Sequence, residues 1–143
     1  MRRILIVALI VTFATVHARA DNVPGVTAAD RAEIERVISM QIEAFRRHDG
    51  DTAFSFASPA IREMFGDTPH FMAMVRRGYQ PVYRPRSFAF DGLVQMDGRI
   101  VQRVEVIGPD GTGALALYTM ERELDGSWKI AGCELTESER VGA

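Results

Sequence analysis

The densest run of chemically capable side chains in this 143-residue chain is Arg76, Arg77, Tyr79, Tyr83, Arg84 and Arg86. Guanidinium forks bind a carboxylate or phosphate through paired hydrogen bonds, and phenol rings supply a flat wall beside it. Tyr79, Tyr83, Arg84 and Arg86 are therefore the candidate ligand-binding residues, for a ligand that is apolar with an anionic group. A solvated loop whose arginines pair with acids on a neighbouring helix would show the same pattern. Asp91 and Glu134 are the carboxylates to examine for proton transfer. Asp91 in an apolar hollow could act as a base, with Tyr118 or Tyr79 donating to a developing oxyanion. Asp91 and Tyr118 are thus the candidate catalytic residues, and solvation of the carboxylates at a rim is the plain alternative.

Other chemistries find little support. Beyond the first twenty residues the histidines are His48 and His70, and neither has a histidine or cysteine at ligand spacing, so no metal is expected. Cys133 is the sole cysteine, which excludes an internal disulfide. It reads as a small buried side chain, with a free thiol or a bond to another chain as alternatives. There is no G-x-S-x-G, phosphate loop or dinucleotide fingerprint, and no cofactor is expected. Met72, Met74, Met96 and Met120 suit core filling or an adaptable apolar pocket.

The N-terminus reads as a separate object. Arg2 and Arg3 precede an apolar run from Ile4 to Val16, and Ala18-Arg19-Ala20 supplies a signal-peptidase site. Residues 1–20 are read as a secretory signal cut between Ala20 and Asp21, which predicts a periplasmic or secreted protein. The run is too short for a membrane anchor. Losing Arg2, Arg3 and Arg19 from the 17 basic residues leaves 14 against 19 acidic ones, a net of −5. That balance argues against nucleic acid as a partner.

The elements that must position the candidates follow from spacing. Residues 21–26 form a lead-in, 27–137 a single α+β domain and 138–143 a tail. Thr27 and Asp30 mark a helix start. Ile34, Val37, Ile38, Ile42 and Phe45 make one apolar stripe over a helix of about twenty residues. Shorter helices are predicted over Asp51–Ala57, from Ser58-Pro59 to Gly66, and from Thr68-Pro69 to Gly78. Pro81 and Pro85 bias Gln80 and Arg84 toward extended backbone. Asp97-Gly98, Asp110-Gly111 and Asp125-Gly126 separate four strands, near 86–95, 100–107, 114–123 and 127–135, in an antiparallel meander.

Centring each hairpin on its Asp-Gly pair places Asp91, Val104, Leu117 and Glu134 in one row and sets Arg103 opposite Tyr118. One face then carries Leu93, Ile100, Val106, Leu115, Trp128 and Ile130. The other carries Phe88, Phe90, Val101, Met120, Cys133 and Leu135. With both faces apolar, one receives the helices and the other meets a second subunit or a loop. A homodimer is expected.

The stretch FASPAIREMFGDTPHFMAMVRRGYQPVYRPR, residues 56–86, resembles a bacterial family of small exported proteins known only as a domain of unknown function. Phe56-Ala57-Ser58-Pro59, Phe65-Gly66, Met74-Val75-Arg76, Gly78-Tyr79 and Pro81-Val82-Tyr83-Arg84-Pro85 carry the likeness, which extends over residues 28–136. The resemblance implies a fold similar to nuclear transport factor 2, a cone of curved sheet wrapped on helices. It implies no activity, since proteins of that fold include isomerases, dehydratases, hydrolases and non-catalytic binding modules. The leading expectation is a non-catalytic module for a small apolar or anionic ligand or a protein partner. The alternatives are a small proton-transfer or hydration–dehydration enzyme and a structural dimerisation protein.

Overall fold

The computed structural model describes residues 23–138. The proposed signal, residues 1–20, and residues 139–143 of the tail lie outside them. Helix α1 (Ala28–Arg46) opens on a capping box. The Thr27 hydroxyl accepts from the Asp30 N–H at 3.1 Å, and the Asp30 carboxylate accepts from the Thr27 N–H at 2.9 Å. The whole expected stripe is buried, joined by Gln41 and Ala44.

Three short helices follow: α2 (Gly50–Ser55), α3 (Pro59–Phe65) and α4 (Thr68–Gly78), capped by the side chains of Asp49, Ser58 and Asp67. A fifth, α5 (Gln80–Tyr83), departs from the sequence expectation of extended backbone at Gln80. Pro81 sits in its first turn, where a missing N–H costs the helix nothing. The chain breaks between α4 and α5 at Tyr79, with φ −133° and ψ 37°.

Strands β1 (Ser87–Met96), β2 (Arg99–Ile107), β3 (Gly113–Arg122) and β4 (Trp128–Glu137) form one antiparallel sheet in the order β1-β2-β3-β4. The α+β class and the meander stand as expected, but the register does not. Only Asp97-Gly98 makes the two-residue turn, with φ 49° and 75°. In the second hairpin the Gly108 N–H donates to the Thr112 carbonyl and the Gly111 N–H to that of Gly108. Glu123, Gly126 and Ser127 repeat this pattern in the third. These are three-residue loops with glycine at the left-handed position. Pro109 has no N–H to donate to the Thr112 carbonyl, as a two-residue turn at Asp110-Gly111 would require, and the Gly108 N–H makes that bond instead.

The longer loop moves β3 by one residue against β2, which exchanges its faces. Bulges at Asp91 and Ala131 complete the change. Phe90, not Asp91, opposes Val104; Leu117 opposes both Arg103 and Glu134; Gln102, not Arg103, opposes Tyr118. The expected Asp91–Val104–Leu117–Glu134 row and the Arg103–Tyr118 pair are therefore corrected.

One face now collects Leu93, Val104, Val106, Ala116, Tyr118 and Ile130, and packs on Ile34, Val37, Ile38 and Ile42 of α1. A second cluster joins the C-terminal end of α1 to the short helices through Phe45, Phe54, Phe71, Met72, Val75 and Tyr83. Val94, Val101, Leu115 and Leu117 of the opposite sheet face belong to neither cluster.

Candidate functional site

Between the two clusters lies a cavity of about 340 Å³. Its helical wall is built by Ile61, Met64 and Phe65 of α3 and by Phe71, Met74 and Val75 of α4. Its sheet wall is Tyr118, Ile130 and Cys133, and Gln41 and Phe45 of α1 and Tyr79 complete it. The Ser58-Pro59 start and Gly66 stop place α3 so that residues 61, 64 and 65 share a side. Gly66 closes that helix with φ 78°, a left-handed conformation suited to glycine. A parallel bridge between Ala57 and Ile130 ties this segment to β4.

None of the lining residues carries a charge. The Gln41 amide is committed, its Nε2 donating to the Ala53 carbonyl at 3.1 Å. Tyr118 and Cys133 are opposed across β3 and β4. The Tyr118 ring is 1% exposed, and its hydroxyl has no hydrogen-bond partner among the described residues. The neighbouring thiol is near but falls short of hydrogen-bond geometry. Burial first, then the adjacent Cys133, pushes the Tyr118 hydroxyl well above its ordinary range. Burial pushes the Cys133 thiol up to about 12, Tyr118 partly offsetting it. Tyr79 is raised by burial and then by Cys133 and Glu134. All three are neutral at pH 7, which makes the cavity a place for neutral donors and a poor one for thiolate chemistry.

The structure divides the candidate residues. Tyr79 and Tyr118 line the cavity. Tyr83 is buried in the aromatic cluster, its ring 5.8 Å from that of Phe45. Arg84 lies over Tyr83 at 4.5 Å, donates through Nη1 to the Phe45 carbonyl at 2.7 Å, and meets the His48 ring through Nη2. Arg86 donates through Nε to the Pro109 carbonyl at 3.0 Å. These two guanidiniums thus hold backbone, one at the end of α1 and one at the second hairpin. Asp91 lies on the sheet face away from the cavity, 3.4 Å from Arg103 Nε. Glu134 is exposed on that same face. The bulge at Asp91 aims it there, beside the side chain that the true register supplies.

Sequence reasoning missed the α3 wall and Gln41. Ile61 and Phe65 are spaced as a helical stripe and were legible as an apolar side, but nothing in the spacing says that the side faces a hollow. Among the described residues no group of three or more histidine, cysteine, aspartate and glutamate side chains could hold a metal. No described helix is long and apolar enough to cross a membrane.

Fold and site together define an α+β protein in which a helical layer and an antiparallel sheet flank a half-open, uncharged cavity. The chain belongs to the family described as a domain of unknown function, DUF4864, whose model matches residues 27–143. Comparison with curated proteins gives no match, and comparison with solved structures gives none.

Proposed function

We propose that this protein is an exported, non-catalytic module that binds a small, largely apolar molecule in the cavity between α1, the short helices and the sheet. The cavity itself carries the reading: its walls are aromatic, aliphatic and methionine side chains with no charged group. Ligand sites are typically concave and apolar with a few polar groups. A base such as Asp91 on the far face of the sheet does not reach this space, which favours binding over proton transfer. The order of helices followed by a four-stranded meander supports the finer reading of the fold as a cone like that of nuclear transport factor 2. Export to the periplasm of a bacterium rests on the charged, apolar and small-residue pattern of residues 1–20. Val94 and Leu117, half-buried on the sheet face away from α1 and outside both core clusters, support a homodimer.

Native mass spectrometry of protein recovered from the periplasm tests the binding reading. A small molecule that co-purifies and is released on unfolding is the expected result. Its repeated absence, with an unchanged melting temperature across a panel of metabolites, would overturn the reading.

A further inference from the structure

We infer that the cavity selects an uncharged molecule carrying a hydrogen-bond acceptor, such as a carbonyl or ether oxygen, and that the Tyr118 hydroxyl is the donor that recognises it. The inference rests on the binding reading above and adds the chemical class. Buried polar groups in folded proteins are almost always paired, so an orphan needs a reason. The Tyr118 hydroxyl is such an orphan, buried on a residue that lines the cavity. Phenylalanine would fill the same space without desolvating a hydroxyl, so the packing alone gives no reason for the oxygen.

Its cross-strand neighbour Gln102 has its amide nitrogen engaged elsewhere, while its Oε1, like the hydroxyl, has no partner among the described residues. Gln102 Nε2 donates to the Gly92 and Arg103 carbonyls, each at 3.0 Å, and so holds the bulge in β1. Around the hydroxyl, Tyr79 and Cys133 add a second phenol and a thiol, and burial keeps both protonated and neutral. No acceptor among the described residues pairs with the Tyr118 hydroxyl. A carboxylate or phosphate would enter without a counter-ion, because Arg84 is held on the Phe45 carbonyl outside the cavity lining. A cation would find no carboxylate there either.

The test uses the full mature protein and three probes of one size: acetophenone, ethylbenzene and benzoate. Each is titrated against wild type and Tyr118→Phe, and the methyl resonances of Ile61 and Ile130 locate the binding. Acetophenone is expected to lose about fivefold in affinity in the variant, the loss of one neutral hydrogen bond. Ethylbenzene is expected to bind both proteins alike, and benzoate neither. The variant is expected to melt at or above the wild-type temperature.

If both neutral probes bind and neither responds to Tyr118→Phe, the donor assignment falls while the apolar binding site stands. If benzoate binds as well as acetophenone, the neutral class falls. A variant that melts several degrees lower shows that the hydroxyl is bonded within the fold, with the unpaired Oε1 of Gln102, its partner across β2 and β3, as the acceptor, and overturns the inference. If neither acetophenone nor ethylbenzene binds, the binding reading falls with it.

Discussion

The two sides of α1 are packed in different ways. Toward the sheet, Ile34, Ile38, Ile42, Leu93 and Val104 are at most 1% exposed and belong to one packed cluster. Toward the short helices, Phe45, Phe54, Phe65, Phe71 and Tyr83 meet ring to ring at centroid distances of 4.9–6.3 Å and leave a hollow beside them. Helix α3 buries none of its residues fully, and Met64 stays 71% exposed. Branched aliphatic side chains interdigitate between a helix and a strand face, whereas flat rings on short helices cannot close every gap. Helices of six or seven residues do not stand alone and depend on the sheet side for their support. Stability is therefore concentrated on one side of α1, and the space for a ligand on the other.

Paired truncations sharpen this contrast most. Ile38→Ala empties a filled site and is expected to cost about 2–5 kcal/mol in urea unfolding with an unchanged slope. Ile61→Ala, at a wall that already borders empty space, is expected to cost less than about 1 kcal/mol. Similar losses at both positions would erase the distinction between a filled and a hollow side.

Arg84→Ala comes next. The guanidinium bonds the Phe45 carbonyl near the end of α1 and covers the Tyr83 ring, which joins α1 to α5. A cation is favoured at this end of a helix. The partly exposed side chain limits the loss to about 1 kcal/mol. Amide exchange is expected to quicken in the last turn of α1 and not in the sheet. If stability is unchanged while added phosphate raises the melting temperature of wild type alone, Arg84 is an anion anchor, and the short-helix side has a second, charged function.

Much of this contrast was readable before any coordinates, and the rest was not, for definite reasons. The α1 stripe and the capping box at Thr27 and Asp30 follow from local spacing and are where they were expected, and the three Asp-Gly pairs mark the turns without fixing their lengths. The faces of the sheet were not readable, because one Asp-Gly pair forms a two-residue turn and the next two do not. Pro109 carries that information for the second hairpin. In the third, Asp125 accepts from the Ser127 N–H and hydroxyl, a side-chain contact that spacing does not reveal. The same limit applies to the site. The Arg84 guanidinium looks like an anion fork in the sequence, and only the position of the Phe45 carbonyl, 39 residues away, shows what occupies it. Tyr118 was named as a candidate for a catalytic role, yet the feature that makes it informative is a missing partner, which no sequence displays.

The start of α1 offers the last and smallest break in the comparison, and it appears only in acid. Asp30 accepts from the Thr27 N–H and hydroxyl at 2.9 Å each and from Trp128 Nε1 at 3.2 Å, and it lies 2.7 Å from Arg122 Nη2. Arg122 in turn sits over the Trp128 ring at 4.8 Å. These contacts, the Thr27 backbone first, hold the carboxyl at about 2 instead of 3.8. A carboxyl depressed by folding contributes its stability above its unfolded value, and loses it as pH falls from near 4 toward 2. Wild type is therefore expected to melt at a lower temperature as pH is lowered through that window. Asp30→Asn is expected to start lower at pH 7 and to show a shallower fall over the same window. The anchoring acts on the sheet side of α1, so the acid loss is expected in the amides of the first turn of α1 and of Trp128, with the α3 and α4 amides following only when the whole fold opens. Exchange that begins in α3 and α4 at pH 3, ahead of α1, would show that the short helices respond to acid on their own and that the sheet side is not what supports them.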